Sequence, residues 1–496
     1  MPKQIIFLMT DSQRYDMVNC NVSTGLSTPC LDRLAASGTR FTRAYTTQPV
    51  CQPARAGIFT GMYPHSSGSW TNSMGVAENI HNAGERMQRM GVHTAYIGKW
   101  HLDGGDYFGL GHASRGWDPE YWYDMRNYLE ELTPEERLLS RNAENMRTHD
   151  FPAEFTYAWR CSSRAIEFLE KHREEDFLLV VSYDEPHDPY ICPPEYARMY
   201  EEFDFPLLPS HADTLEGKPD YQRVWAAASS QLDPENPRVR APWFFGCNSY
   251  VDSQIGRVLD AAAQYAPEAL LLYTSDHGDF LHEHRLAAKG PAAYDAIAHI
   301  PLFIAGPGLP QGQVDGNPVS HIDLLPTMLA WMGAEQPPIL PGHSLLPQIT
   351  GECPRVNDCV FLEFGRYEVD HDGFGGLQLM RSVFDGRYKL SVNLLSTDEL
   401  YDLQEDPYEV RNLIDDPAYA AVRDKLHDRL LDNMDKTRDP FRGYYWERRP
   451  WRTDAPAASW RYRGFTRQSL DDFEPRQLDY GTGLPMEEAT RVKPGL

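Results

Sequence analysis

Cys51-Gln52-Pro53-Ala54-Arg55 sets a sulfur and a guanidinium four residues apart, at the start of a stretch that reads as a helix closed by Gly61. Pro53 suits a first helical turn, where a missing N–H costs nothing. If the helix includes both, Cys51 and Arg55 share a face. The sulfur then lies at the positive end of a helix dipole with a cation beside it, a setting for an anion. A lone cysteine at a helix start is more often a buried structural residue. Its company reverses those odds: Asp11, Lys99 with His101, Asp184 with His187, Asp276 with His277, and Lys289. Asp11, Asp276 and His277 make a hard, oxygen-rich set with one nitrogen, suited to a divalent cation beside residue 51. Such an ion would neutralise a bound oxyanion and activate a nucleophile. Arg55, Lys99, Lys289, His101 and His187 supply the positive charge that an ester of a strong acid needs in its transition state. Histidines can also exchange protons near neutral pH.

These side chains meet only if the elements carrying them do. Ile5–Met9 is a continuous apolar run, the mark of a strand buried on both faces, and Asp11 follows it. Similar runs at 91–98, 177–182 and 270–275 lead straight into Lys99–His101, Asp184–His187 and Asp276-His277, and a further strand is expected at 301–305. Helical patterns lie between them, on Leu31, Leu34 and Ala35, on Ala165, Ile166, Phe168 and Leu169, and on Val251, Ile255, Val258 and Leu259. This alternation predicts an α/β fold, a large, mostly parallel sheet sandwiched by helices. In open sheets of that kind, ligands bind at the carboxyl ends of the strands. All four polar clusters fall there. Residues 207–242 read as an irregular insertion or cap.

A chain of 496 residues is too long for one compact core. An α/β catalytic domain is expected over 1–355, followed by a smaller α+β domain over 356–496 with an antiparallel sheet. Asp385-Gly386 signals a hairpin within that second domain, 399–403 a further strand, and Val422, Leu426, Leu430 and Leu431 a late helix. The tail, with Trp446, Trp451 and Trp460, is expected to wrap the surface or a homo-oligomer interface. A formal net charge of −25 argues against nucleic acid as a partner. No apolar run reaches membrane-span length, and the opening run is too short for a signal-peptide core. The eight cysteines lack CxxC spacing. A cytoplasmic, reduced protein is the expectation.

The ordered motifs resemble the type I sulfatases of the alkaline phosphatase superfamily. Cys51-Gln52-Pro53-Ala54-Arg55 followed by Thr60-Gly61 is similar to that family's signature. Asp11, Gly98-Lys99-Trp100-His101, Pro186-His187, Ser275-Asp276-His277-Gly278, Lys289-Gly290 and Leu400-Tyr401-Asp402-Leu403 extend the likeness over roughly residues 1–435. The resemblance implies that a maturation enzyme oxidises Cys51 to formylglycine, whose hydrate attacks sulfur. It implies one divalent metal ion, calcium first, with magnesium and manganese as alternatives, held by Asp11, Ser12, residue 51, Asp276 and His277. Arg55 would hold the hydrate, Lys99 the sulfate, and His187 with Lys289 the leaving oxygen. His101 would take the proton of the second hydroxyl, so that the aldehyde re-forms and sulfate leaves. Two positions depart from the pattern. Ser12 stands where many members have a second aspartate, so that Gln13 or water could replace that ligand, and His277 stands where many have asparagine. The aspartate–histidine pair also resembles the phosphonate monoester hydrolases of the same superfamily.

The expected activity is hydrolysis of a sulfate monoester of a sulfated sugar. Trp70, Asp103, Glu363, Arg366, Glu368 and His371 are candidates to line a sugar pocket. One rival is a phosphonate monoester or phosphodiester hydrolase with the same nucleophile. Another is a catalytically silent binder of sulfated sugars in which Cys51 stays a thiol.

Overall fold

The computed structural model describes residues 2–104, 107–141, 149, 151–368, 376–453, 455 and 483–484. The large sheet contains β1 (Gln4–Thr10), β2 (Thr39–Tyr45), β3 (His93–Gly98), β4 (Trp122–Tyr123), β5 (Phe177–Ser182), β6 (Leu270–Ser275), β7 (His299–Ala305), β8 (Gln313–Asp315) and β9 (Val319–Ser320). Its order is β4-β3-β5-β1-β6-β7-β2-β8, with β9 also on β2. From β4 to β6 every pairing is parallel, whereas β7 runs antiparallel to both its neighbours. A mostly parallel sheet is thus what forms.

The apolar runs are continuous because each strand feeds two cores, its side chains alternating between the faces. Ile6 and Leu8 of β1 pack with Leu31, Phe168, Val251 and Ile255, on the helices Pro29–Ala36, Tyr157–His172 and Pro242–Tyr265. Ile5, Phe7 and Met9 pack on the opposite face with Ile58, Phe59, Leu325 and Met328, on the helices Cys51–Thr60 and Leu324–Trp331. Fully buried side chains of this size contribute roughly 1.5–3 kcal/mol each. The sheet is therefore a rigid platform for whatever its rim carries.

Strand β2 carried no apolar run in the sequence. In β2 arginines and threonines interrupt the apolar positions, and a bulge between Phe41 and Ala44 breaks the alternation. The 207–242 segment is also less irregular than its composition implies. It contains the helix Asp220–Ala228, which buries Tyr221, Gln222 and Ala226.

A second sheet joins β10 (Val360–Arg366), β11 (Leu377–Phe384), β12 (Tyr388–Asn393) and β13 (Glu399–Asp402), all antiparallel. Leu426, Leu430, Leu431 and Met434 of the helix Ala420–Lys436 cover it, with Trp446 in the same core. The β11–β12 hairpin reverses on Gly386-Arg387, one residue beyond the expected pair, since Asp385 N–H donates to Tyr388 O at 3.2 Å. Lys389 on β12 ties this sheet to the first through Asp295, which precedes β7, at 2.6 Å, and also meets Glu409 at 2.6 Å. Trp460 and His371 lie outside the described residues. No helix among the described residues is long and apolar enough to cross a membrane.

Gly98 closes β3 with φ +122°, and a Cβ there would meet Ser182 O at 1.9 Å. Gly98→Ala is expected to cost about 3 kcal/mol or more, because it adds backbone strain to a clash with a central strand. Gly91→Ala has a positive φ but open space, and is expected to cost only about 1–2 kcal/mol. Urea unfolding midpoints of the two variants measure the difference.

Candidate active site

The carboxyl ends of β3, β5, β1 and β6 lie side by side, because these strands are parallel and in register. Lys99, Asp184, Asp11 and Asp276 are the first polar residues past those ends, so the sheet itself brings them together. The helix Cys51–Thr60 begins at the same rim, with Cys51 at its first position after Val50. Cys51, Arg55, Asp11, Lys99, Asp276 and His277 are all buried.

Arg55 is the hub. Its Nε donates to Asp276 Oδ2 at 3.0 Å and its Nη2 to Asp11 Oδ2 at 3.1 Å. Nη1 donates to Lys99 O at 2.7 Å and Ser182 Oγ at 2.8 Å. One guanidinium thus fixes residues from β1, β6, β3 and β5. Around it, single ligand atoms of Asp11, Cys51, Asp276 and His277 lie within 4.8 Å of one another. Cys51 Sγ is 3.2 Å from His277 Nε2 and 3.7 Å from Asp11 Oδ1. His277 Nδ1 faces Gly278 O at 2.7 Å, so Nδ1 carries the proton and the Nε2 lone pair turns to the cluster.

The charges show what this cluster lacks. Burial and Asp11 raise Asp276 to about 6, more than His277 and Arg55 offset. Burial also pushes Asp11 up, yet Lys99, His187, Lys289 and Arg55 hold it well below the usual carboxylate range. Two carboxylates crowded into a dry site, with an imidazole lone pair beside them, suit a divalent cation. The donor set fits that group.

A second arc of positive charge faces the cluster. Lys99 Nζ reaches Asp11 Oδ2 at 2.7 Å and Asp184 Oδ1 at 2.9 Å, and sits 4.0 Å over the Tyr107 ring. Lys289 Nζ lies 3.1 Å from His187 Nε2, and His187 Nδ1 lies 3.0 Å from Asp188 Oδ1. Burial and Asp11 push the Cys51 thiol up, but Lys289, Lys99 and His277 hold it well below the ordinary thiol range. Anionic character at position 51 is therefore favoured.

The two histidines are pushed apart. Burial holds His101 below the ordinary imidazole value, and its Nδ1 has no partner among the described residues. Against burial and its lysine neighbours, Asp11 and Asp188 raise His187 to about 10. Near neutrality one is a ready acceptor and the other a ready donor.

Ser12 Oγ donates to Asp11 Oδ1 at 2.8 Å, and its N–H donates to Asp276 Oδ1 at 3.1 Å. Gln13 turns away, its Nε2 donating to Asn248 at 3.0 Å. Among the sugar-pocket candidates, Glu363 is committed to His65, accepting from its N–H at 2.6 Å and meeting its Nδ1 at 2.5 Å. Asp103 accepts from Trp100 Nε1 at 3.3 Å, and Glu368 from Asn72 Nδ2 at 3.0 Å. Tyr107 carried no signal in the sequence, being one aromatic in a polar loop. It donates to Asp184 Oδ1 at 2.6 Å and touches His187 Nδ1 at 3.2 Å.

The sequence pattern of the Sulfatase family matches residues 3–334, and that of the N-sulphoglucosamine sulphohydrolase C-terminal region matches residues 283–436. The uncharacterized sulfatase YidJ of Escherichia coli (strain K12) is 47% identical over 490 residues, 97% of each chain. The phosphonate monoester hydrolase of Agrobacterium radiobacter superposes with a TM-score of 0.74 at 23% identity, over 88% of this chain and 96% of that one. BT4656, solved with its substrate D-glucosamine-2-N,6-O-disulfate, gives 0.72 at 20% identity, over 89% and 99%. At such identities the two structures speak for the fold. The family pattern and the 47% relative speak for descent as well: the chain belongs to the sulfatase family, hydrolases of sulfuric esters.

Proposed function

We propose that this chain hydrolyses the sulfate monoester of a small sulfated sugar, with residue 51 acting as formylglycine. One observation carries the reading: residue 51 lies at a helix start in a cluster whose donors could hold a cation, within the field of Lys99 and Lys289 and beside two oppositely tuned histidines. The Cys51 Sγ stands in for a hydroxyl oxygen of the formylglycine hydrate. A divalent cation, calcium in the first instance, held by Asp11, Asp276, His277 and residue 51, would supply charge neutralisation at the sulfate and favour the ionised nucleophile.

The protein's own groups do the rest. Arg55 touches no open space, so its work is to orient Asp11 and Asp276, while Ser12 steadies both. Lys99 and Lys289 place fixed positive charge where the sulfuryl oxygens gather negative charge. His187 Nε2, turned toward Lys289, gives its proton to the leaving alcohol. His101 removes the proton from the second hydroxyl of residue 51, which lets the aldehyde re-form as sulfate departs. Asp184 and Tyr107 hold Lys99 and His187 in place. The family relationship and the pocket's charge support the sulfated substrate. A sugar is supported by the N-sulphoglucosamine sulphohydrolase pattern over residues 283–436.

A panel of sulfated monosaccharides, with aryl phosphate and aryl phosphonate esters as rivals, tests the proposal on matured enzyme. Sulfate turnover is expected to dominate; preferential phosphonate hydrolysis would overturn it. Mass spectrometry of residue 51 should find the aldehyde, and a persistent thiol in a fully active preparation would remove formylglycine from the scheme.

The histidine assignment has its own signature. Both His101→Ala and His187→Gln are expected to slow steady turnover by about 10²–10⁴-fold. Only the His101 variant should release one rapid equivalent of alcohol and accumulate a sulfated residue 51. Because His187 is held protonated to about 10, kcat/KM should stay level through pH 8 and fall as the pH approaches that value. A fall centred near 6.5 would show that another group donates.

A further inference from the structure

At the opposite rim of the sheet, three side chains converge on a point that the sulfatase chemistry does not use. His93 opens β3, and Gly98, at the catalytic rim, lies five residues or roughly 16 Å along the strand. His172 ends the helix Tyr157–His172, and Glu175 follows in the turn before β5. His93 Nδ1 lies 2.9 Å from Glu175 Oε2, and His172 Nδ1 lies 3.0 Å from Glu175 Oε1. The two rings stand edge to face with centroids 4.5 Å apart.

The outer nitrogens settle which atoms carry protons. His93 Nε2 faces the Asp118 carboxylate at 2.9 Å, so Nε2 must donate. Tyr121 OH gives its hydrogen to Glu120 Oε1 at 3.0 Å and receives Lys171 Nζ at 2.6 Å, so His172 Nε2, also at 2.6 Å, donates to it too. With both Nε2 atoms turned to outer partners, the two Nδ1 atoms converge on the Glu175 carboxylate, and an ion between them would meet two imidazole nitrogens and a carboxylate oxygen.

We propose that His93, His172 and Glu175 form a second metal site, selective for a borderline divalent ion of the zinc class. Two imidazoles and a carboxylate are a zinc donor set, and the half-exposed Glu175 leaves the remaining positions to water. Asp118 and Tyr121 are the outer partners that such histidines require. The ion would pin the carboxyl end of a long helix to the first residue of β3, independently of events at residue 51.

The test uses the full chain in excess calcium, dialysed against zinc chloride, with bound zinc counted by elemental analysis. Wild type is expected to hold one more zinc than Glu175→Gln or His172→Gln, and zinc should raise its melting temperature more than theirs. Asp118→Asn keeps all three ligands and should weaken this uptake about 10- to 100-fold. Glu175→Gln should leave sulfatase turnover unchanged. An anomalous peak between the two Nδ1 atoms in zinc-soaked crystals would place the ion. Equal zinc uptake by wild type and both ligand variants, or no peak at that point, overturns the proposal. Glu175→Gln keeps the comparison decisive should His172→Gln fail to fold.

Discussion

A guanidinium with no exposed surface is tolerable only where acceptors replace water, and each nitrogen of Arg55 has at least one, from two carboxylates, a carbonyl and a hydroxyl. Breaking a buried pair of this kind typically costs about 3–5 kcal/mol, because the charge left behind has no water to turn to. Arg55 therefore does two things at once. It binds the helix Cys51–Thr60 to four strands, and it holds Asp11 and Asp276 with oxygens aimed away from itself. The catalytic arrangement is largely a consequence of satisfying one buried charge.

Around that hub, the site divides into a negative half and a positive half with residue 51 between them. The negative half, Asp11, Asp276 and the lone pair of His277, could hold a cation. The positive half, Lys99, Lys289 and His187, is crowded enough that an anion relieves it. Each half raises the affinity of the other for its ligand, since opposite charges at a few ångströms in a dry site interact strongly. The chain's overall charge of −25 would repel a sulfate at long range, so attraction is confined to this pocket.

Much of this was legible in the sequence because parallel strands buried on both faces announce themselves as unbroken apolar runs. Asp11, Lys99, Asp184 and Asp276 each follow such a run, and the rule that ligands sit at carboxyl ends then places them together. What the sequence hid were elements without periodicity. β2 is interrupted by arginines and bent by a bulge, and Tyr107 is a loop residue that meets Lys99 and Asp184 only once the chain is folded. The sugar-pocket candidates fared unevenly for the same reason: Glu363 looked available, but folding brings His65 to it across almost three hundred residues of chain. Side-chain pairings of that range leave no local trace.

The burial of Cys51 also bears on the order of events in the life of the chain. Cys51 is 1% exposed and feels the charges of Lys289, Lys99 and His277. If residue 51 is oxidised as proposed, the enzyme that does so would need to reach this side chain, and the finished fold buries it. On the proposed function, conversion at position 51 would then precede closure of the sheet rim. A molecule that folded first would on that reading keep its thiol for as long as it stayed folded.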